Sequence, residues 1–138
     1  MPRPIFIFVA VIMMGIGMVL SADPAAPSAK IPKDLIEKQL QAARSVFQDD
    51  LARLEIGETI FDQNVMLWSE RWLDAELALS NQPADRASAL KSHVNRLKEI
   101  AVLVEARARG GQGRNADTHA VRYFLISAEL RLSQAAGK

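Results

Sequence analysis

The chain has 138 residues, with 17 basic and 16 acidic side chains and a formal net charge of +1 at pH 7. It contains no cysteine, which excludes disulfide bridges and thiolate metal sites. Its length fits one domain with a modest core, and no basic patch is interleaved with aromatic residues as nucleic-acid binding would require.

The N-terminus is typical of a signal peptide. Arg3 supplies a positive charge, Ile5 to Leu20 form an unbroken apolar run, and the small residues Ser21-Ala22 follow. We expect residues 1–22 to be a helical signal peptide that is cleaved after Ala22, which makes the protein exported, either periplasmic or secreted. The alternative is an uncleaved inner-membrane anchor, in which residues 5–20 tether the protein, although this run is shorter than the roughly 20 residues of a full span.

A linker and a helical domain are predicted after the leader. Residues 23–32 are rich in Pro and Ala and indicate an extended spacer. The helical domain spans 33–138, and its first helix runs from Lys33 or Asp34 to Ile56. Gly57 predicts a left-handed C-cap, and Thr59 with Asp62 resembles a capping box that begins a second helix ending near Ser80.

An apolar stripe runs along this second helix and holds both tryptophans. Successive stripe residues alternate at spacings of three and four, which places them on one side of a helix. Such a stripe needs partner helices to cover it, so we interpret it as core; the alternative is an exposed aromatic platform for a ligand. The stripe consists of Phe61, Val65, Trp68, Trp72, Ala75 and Leu79.

Two further helices are predicted, at about 84–109 and about 116–135, separated by the glycine-rich stretch Gly110–Gly113. The third helix carries an apolar seam with the coiled-coil spacing of three and four. The seam residues are Ala87, Leu90, Val94, Leu97, Ala101, Val104 and Ala108. The helices together predict an all-α fold.

A short internal repeat relates the two halves. Ala52-Arg53 before Gly57 matches Ala106-Arg107 before Gly111, and Ala75-Glu76-Leu77 matches Ala128-Glu129-Leu130. We interpret about 33–81 and 84–135 as two helix–Gly–helix repeats. Each is too thin to bury its own seam, so the two are expected to pack as an antiparallel helical bundle or coiled coil.

The repeat motif resembles known helical hairpins. Ala-Arg-x-x-x-Gly followed by a helix ending Ala-Glu-Leu-x-Leu is similar to the periplasmic hairpins of the outer-membrane efflux protein family. Trp68 to Leu77 and Gly111 to Leu130 resemble the two halves of short exported helical proteins of unknown function. These resemblances imply long helical hairpins; the chain is too short for a channel protomer, so no export activity is implied.

The titratable residues offer weak candidate sites. His93 and His119 could hold a metal together with carboxylates, but two isolated histidines are more often surface residues. Glu76 and Glu129 recur at equivalent repeat positions. Such carboxylates could act in acid–base chemistry or hold a cation, but solvated helix faces or capping pairs are the favoured interpretation. We find no Ser/His/Asp arrangement in the sequence, and no cofactor is expected.

Three arginines flank the glycine turn before the fourth helix. Arg107, Arg109 and Arg114 could bind a phosphate, a sulfate or an anionic lipid head group together with the helix N-terminus. Solvated charges are the simpler interpretation. The glycines lack the spacing and the Lys-Ser/Thr of a phosphate-binding loop.

These patterns favour an exported, non-enzymatic interaction or scaffold protein of the cell envelope. It would present helix faces to another copy of itself, to an envelope protein or to a membrane surface. The alternative is a periplasmic helical sensor or chaperone that responds to a ligand or a metal.

Overall fold

The computed structural model describes residues 31–58, 61 and 63–137. This part of the chain forms helices and no strand: α1 (Lys33–Ile56), α2 (Asn64–Leu79), α3 (Pro83–Arg109) and α4 (Asn115–Ala136). The prediction of an all-α domain is confirmed for these residues. The predicted signal peptide and residues 23–30 of the linker lie outside them.

The end of α1 matches the prediction. Gly57 has φ 83°, a left-handed conformation in which a Cβ is strained, and it caps the helix. The backbone N–H of Glu58 donates to the carbonyl oxygen of Arg53 at 3.1 Å. This closes the helix by the hydrogen bond that is usual at a glycine C-cap.

The turn after α3 repeats this geometry. Gly111 has φ 74°, and the backbone N–H of Gln112 donates to the carbonyl oxygen of Arg107 at 2.9 Å. Each of these residues is 54 positions after its counterpart in the first turn. Gly57 and Gly111 are the only positive-φ residues in the described part of the chain. The two turns of the predicted repeat therefore share one conformation.

The predicted start of the second helix is wrong. α2 begins at Asn64, five residues after Thr59, and Phe61 precedes the helix. Phe61 is nevertheless buried in the core, so its four-residue spacing from Val65 reflects a loop side chain that points inward. Thr59 and Asp62, the proposed capping box, lie outside the described residues.

The connection between α2 and α3 is short and polar. Ser80 donates a hydrogen bond to Asp85 at 2.6 Å and accepts one from the backbone N–H of Gln82 at 3.1 Å. Pro83 is the first residue of α3, where its fixed φ suits a helix start and its missing N–H costs nothing.

α2 and α3 have a helix packed on each side and bury more of their circumference than α1 and α4. α1 packs against α2, α2 against α3, and α3 against α4, while α1 also touches α3. Nine residues of α3 are buried but only three of α4. One hydrophobic core joins residues of all four helices and of the loop before α2: Phe47, Leu54, Phe61, Val65, Met66, Val94, Leu97, Ile100, Ala101, Val104, Val121 and Ala128. None of the described helices combines the length and the hydropathy that crossing a membrane requires.

Candidate functional site

The predicted stripe covers one of two buried sides of α2. Phe61 and Val65 are buried, and Trp68, Trp72 and Leu79 are partly buried. The Trp72 ring meets the Phe47 ring of α1 edge-on at 5.5 Å between centroids. The stripe therefore faces α1.

A second side of α2 packs on α3, and sequence reasoning missed it. Met66, Ser69 and Leu73 are almost completely inaccessible, and Leu73 packs with Ala89 and Leu90 of α3. The helical spacing of Met66, Leu73 and Leu77 was the available signal. Ser69 interrupts that pattern with a polar side chain, because it belongs to a buried hydrogen-bonded group.

Ser69, Glu70 and His93 form the centre of a polar cluster between α2 and α3, in which Ser69 and His93 are fully buried and Glu70 is partly buried. Arg96 Nε donates to Ser69 Oγ at 3.2 Å, and the Ser69 hydroxyl and His93 Nδ1 are 3.0 Å apart. His93 Nε2 lies 3.1 Å from Glu70 Oε1. If Ser69 donates to His93 Nδ1 and His93 Nε2–H donates to Glu70, each hydrogen bond in this series from Arg96 to Glu70 has one donor and one acceptor. This arrangement assigns the hydrogen of the His93 ring to Nε2.

The cluster extends to α4 through Glu70. Arg131 Nη1 donates to Glu70 Oε2 at 2.9 Å. The pKa of Glu70 is lowered from its ordinary value of 4.5, mainly by the hydrogen bond from His93 and further by Arg131, against the opposing effect of burial. Glu70 therefore joins three helices as a carboxylate.

A second carboxylate, Glu76, joins the cluster to α1. Its Oε1 accepts hydrogen bonds from Trp72 Nε1 at 2.8 Å and from Arg44 Nη2 at 3.3 Å, and its Oε2 lies 3.8 Å from Arg96 Nη2. The Arg96 guanidinium also lies 4.0 Å from the centroid of the Trp72 ring. Burial lowers the pKa of Arg96 to about 10, against the attraction of Glu76. The expectation that Glu76 is solvated is wrong, because this side chain is mostly buried.

The order serine, histidine, glutamate resembles a hydrolase triad, which no spacing in the sequence predicts. A nucleophilic hydroxyl must reach substrate and pass its proton to the histidine. Ser69 is completely buried and already accepts a hydrogen bond from Arg96. This geometry favours a structural role, in which the cluster fixes the register of α2 on α3.

The two histidines lie in different environments. His93 is fully buried, so the expectation that both are surface residues is wrong for it, whereas His119 is exposed on α4. Both ring nitrogens of His93 are within hydrogen-bonding distance of other side chains, Nδ1 of Ser69 and Nε2 of Glu70. In the described part of the chain, no three His, Cys, Asp or Glu residues are grouped as metal ligands.

The predicted anion site is occupied in part by the protein's own carboxylate. Asp117 accepts hydrogen bonds from the Arg114 side chain at 2.7 and 3.2 Å and from its backbone N–H at 3.4 Å. The pKa of Asp117 is lowered, chiefly by the Arg114 side chain. Arg107 lies beside Gly57 at the other glycine turn, and Arg109 borders a shallow cavity with Glu105 and Arg122.

The exposed side of α4 is apolar at its centre. Tyr123, Ile126 and Leu130 are 69, 57 and 57% exposed, and His119 and Ser133 extend the same side of the helix. We call these five residues the α4 outer face. A surface helix normally carries charges opposite its core side, and a contiguous exposed apolar stripe indicates an interaction site.

Charges border the α4 outer face along one edge only. Arg122 is paired with Glu105 of α3 at 2.8 Å, and Glu129 with Lys98 of α3 at 3.3 Å. Glu129 thus lies on a solvated surface, as expected from the sequence. α4 contributes the cation to one of these ion pairs and the anion to the other, so the edge beside the apolar stripe has no net charge.

Comparison with protein-family models, with curated proteins and with solved structures gives no match. What the protein does is therefore inferred from its own residues and their geometry.

Proposed function

We propose that the protein is an exported, non-enzymatic helical protein of the cell envelope that presents the α4 outer face to a protein partner. The observation that carries this proposal is the exposure of Tyr123, Ile126 and Leu130 on one side of a 22-residue helix. Aromatic side chains such as Tyr123 are enriched at protein interfaces and among the residues that contribute most to binding.

The finer architecture belongs to the same proposal. An antiparallel bundle of two helix–Gly–helix repeats is supported by the order of the contacts: residues later in one helix pair with residues earlier in the next. In the second hairpin, Lys98 pairs with Glu129 and Glu105 with Arg122. The equivalent turns at Gly57 and Gly111 support the repeat itself. A bundle of this kind displays a rigid helix surface, as an interaction module requires.

Export is supported by the leader sequence alone. Arg3, the apolar run to Leu20 and the small residues Ser21-Ala22 predict cleavage before Asp23. Mass spectrometry of the protein purified from its envelope fraction is expected to find Asp23 at the N-terminus. An intact Met1 would favour the anchored form.

An interaction module is preferred to a ligand-responsive sensor because the candidate ligand groups are engaged with one another. Arg114 is held by Asp117, and His93 by Ser69 and Glu70. The α4 outer face, by contrast, lies open over several turns.

Photo-crosslinking in intact cells tests the proposal. A benzophenone amino acid at position 126 is expected to give a discrete adduct with a protein, because this position lies at the centre of the outer face. The same group at position 56 is the matched control, since Ile56 is also an exposed isoleucine but lies at the end of α1. No adduct at 126, or equal adducts at both positions, would contradict the proposal.

A further inference from the structure

The internal repeat allows the α4 outer face to be compared with the equivalent residues of α2. The match of Ala75-Glu76-Leu77 with Ala128-Glu129-Leu130 is an offset of 53. This offset relates the outer face of α4 to the side of α2 that packs on α3. Met66, Leu73 and Leu77 of α2 correspond to His119, Ile126 and Leu130 of α4.

The two sides have opposite exposure. Leu73 is fully buried, whereas its counterpart Ile126 is 57% exposed. The side of α4 that packs on α3 includes Val121 and Ala128, which correspond to Trp68 and Ala75 on the α1-facing side of α2. α2 therefore lies between two helices, while the same pattern on α4 meets a helix on one side only among the described residues.

We propose that a second copy of this chain covers the α4 outer face, with α4 packed antiparallel against α4 about a two-fold axis near Ile126. This inference rests on the proposed function and names its partner. Ile126 lies at the middle of α4, so a two-fold axis there overlaps the two helices along their whole length. An isologous contact needs a self-complementary surface, and an apolar stripe with a polar residue at each end satisfies that requirement.

The flanking charges are complementary under this symmetry. A two-fold axis perpendicular to antiparallel helices brings the same edge of both copies together. Arg122 lies about 6 Å along the helix from Ile126, and the partner's Glu129 lies about 4.5 Å from the axis in the same direction. Each Arg122 therefore faces the partner's Glu129, and two equivalent pairs border the apolar stripe.

The charge balance favours a protein over a membrane as the occupant. Helices that lie on anionic membranes carry an excess of Lys and Arg beside the apolar side. The edge of the α4 outer face instead carries two cations, Lys98 and Arg122, and two anions, Glu105 and Glu129. A head-to-tail contact of α4 with α1, where Leu35 is exposed, would form a ring or an open chain of subunits rather than a two-fold pair.

Disulfide trapping tests the proposed symmetry, because the chain has no cysteine of its own. Ile126→Cys is expected to form a covalent dimer under mild oxidation, since residues on the axis approach closely enough for a disulfide. A mixture of Arg122→Cys with Glu129→Cys is expected to give a mixed dimer in higher yield than either variant alone. Ile56→Cys is the control and should stay monomeric, and circular dichroism of each variant checks that the helices are retained.

The outcomes distinguish the inference from the proposed function. Covalent dimers of Ile126→Cys together with the mixed 122–129 dimer support the two-fold contact. A disulfide that forms only between Ile126→Cys and Leu35→Cys overturns it in favour of head-to-tail assembly. If Ile126→Cys remains monomeric while the photo-crosslinker at 126 captures a different protein, the dimer is overturned and the proposed function stands.

Discussion

The two contacting helix pairs, α1 with α2 and α3 with α4, have similar glycine turns but differ in how much of the second helix is covered. Both turns place a glycine in the left-handed conformation and form the same backbone hydrogen bond. In the first pair, α2 is buried on two sides, and Glu76 joins a polar cluster. In the second, α4 is buried on one side, and Glu129 pairs with Lys98 at the surface. The same local pattern thus acquires a different role from its position in the fold.

This difference separates the stabilising part of the molecule from the part available to a partner. Ser69 and His93, at the centre of the polar cluster, are inaccessible and link α2 to α3. The side of α4 that lacks such a neighbour is apolar and open. We therefore expect stability to depend chiefly on the interface of α2 with α3, and we propose that a partner binds on α4.

The largest effect is expected from truncating equivalent residues of the two helices. Leu73→Ala opens a cavity in the fully buried side of α2 and should lower the free energy of unfolding by about 2–5 kcal/mol. Ile126→Ala at the equivalent exposed position should change it by about 0.5 kcal/mol or less when the protein is dilute enough to be monomeric. Urea unfolding checks both values, and equal losses would break the distinction between α2 and α4.

The histidines give a second matched pair. His93→Ala leaves Ser69 and Glu70 without their shared partner and is expected to cost about 2–4 kcal/mol. His119→Ala, on the exposed side of α4, should be nearly neutral in dilute solution. Thermal unfolding of the two variants in the same buffer measures the difference. A stable His93→Ala variant would mean that the polar cluster does not order α2 against α3.

A smaller effect is expected at the two equivalent turns. Gly57→Ala and Gly111→Ala should each cost about 1–2 kcal/mol, because both positions are left-handed. A Cβ at Gly57 would also lie 3.2 Å from the Arg107 side chain, whereas one at Gly111 would meet nothing within 4 Å. Urea unfolding should therefore show an equal or slightly larger loss for Gly57→Ala. A neutral result at one turn would show that the turns are not equivalent.

The smallest effect concerns pH. Because the pKa of folded Glu70 is below its ordinary value of 4.5, its carboxylate stabilises the fold above that value. This stability is lost as the pH falls through the folded pKa. Glu70→Gln should therefore flatten the decline of the unfolding free energy on acidification, leaving the part due to Asp117, whose pKa is also lowered.

Glu99→Gln serves as the control for this titration, since Glu99 is an exposed carboxylate on α3 outside the cluster. Urea unfolding at a series of pH values, from about pH 6 downward to the most acidic pH at which the protein still folds, follows the decline below the ordinary carboxyl pKa values. If Glu70→Gln and the wild-type protein lose stability in parallel, the hydrogen bonds to Glu70 do not contribute as described.

The sequence predicted the helices well because apolar spacing and glycine are local signals. The ends of α1 and α3 follow from Gly57 and Gly110, and the seam of α3 from its spacing of three and four. The start of α2 was misplaced because Phe61 reaches the core from a loop at a helix-like spacing. Periodicity alone does not distinguish these two cases.

The polar cluster could not be predicted from the sequence. Ser69, His93 and Arg96 are polar side chains on buried helix sides. They interrupt the apolar spacing of the sides where α2 and α3 meet, so periodicity does not predict that these sides are buried. Their burial depends on which helices become neighbours, which is a property of the tertiary fold. The exposure of Ile126 was missed for the same reason. The resemblance to efflux-protein hairpins stays a prediction.

Light scattering of the purified protein over a range of concentrations tests the central claim most directly. The wild-type protein and Ile56→Glu are expected to approach twice the mass of one chain as the concentration rises. Ile126→Glu, which places a charge at the centre of the α4 outer face, should keep the mass of one chain at concentrations at least tenfold higher. A wild-type protein that remains monomeric throughout, or an Ile126→Glu variant that associates as the wild type does, would contradict the account.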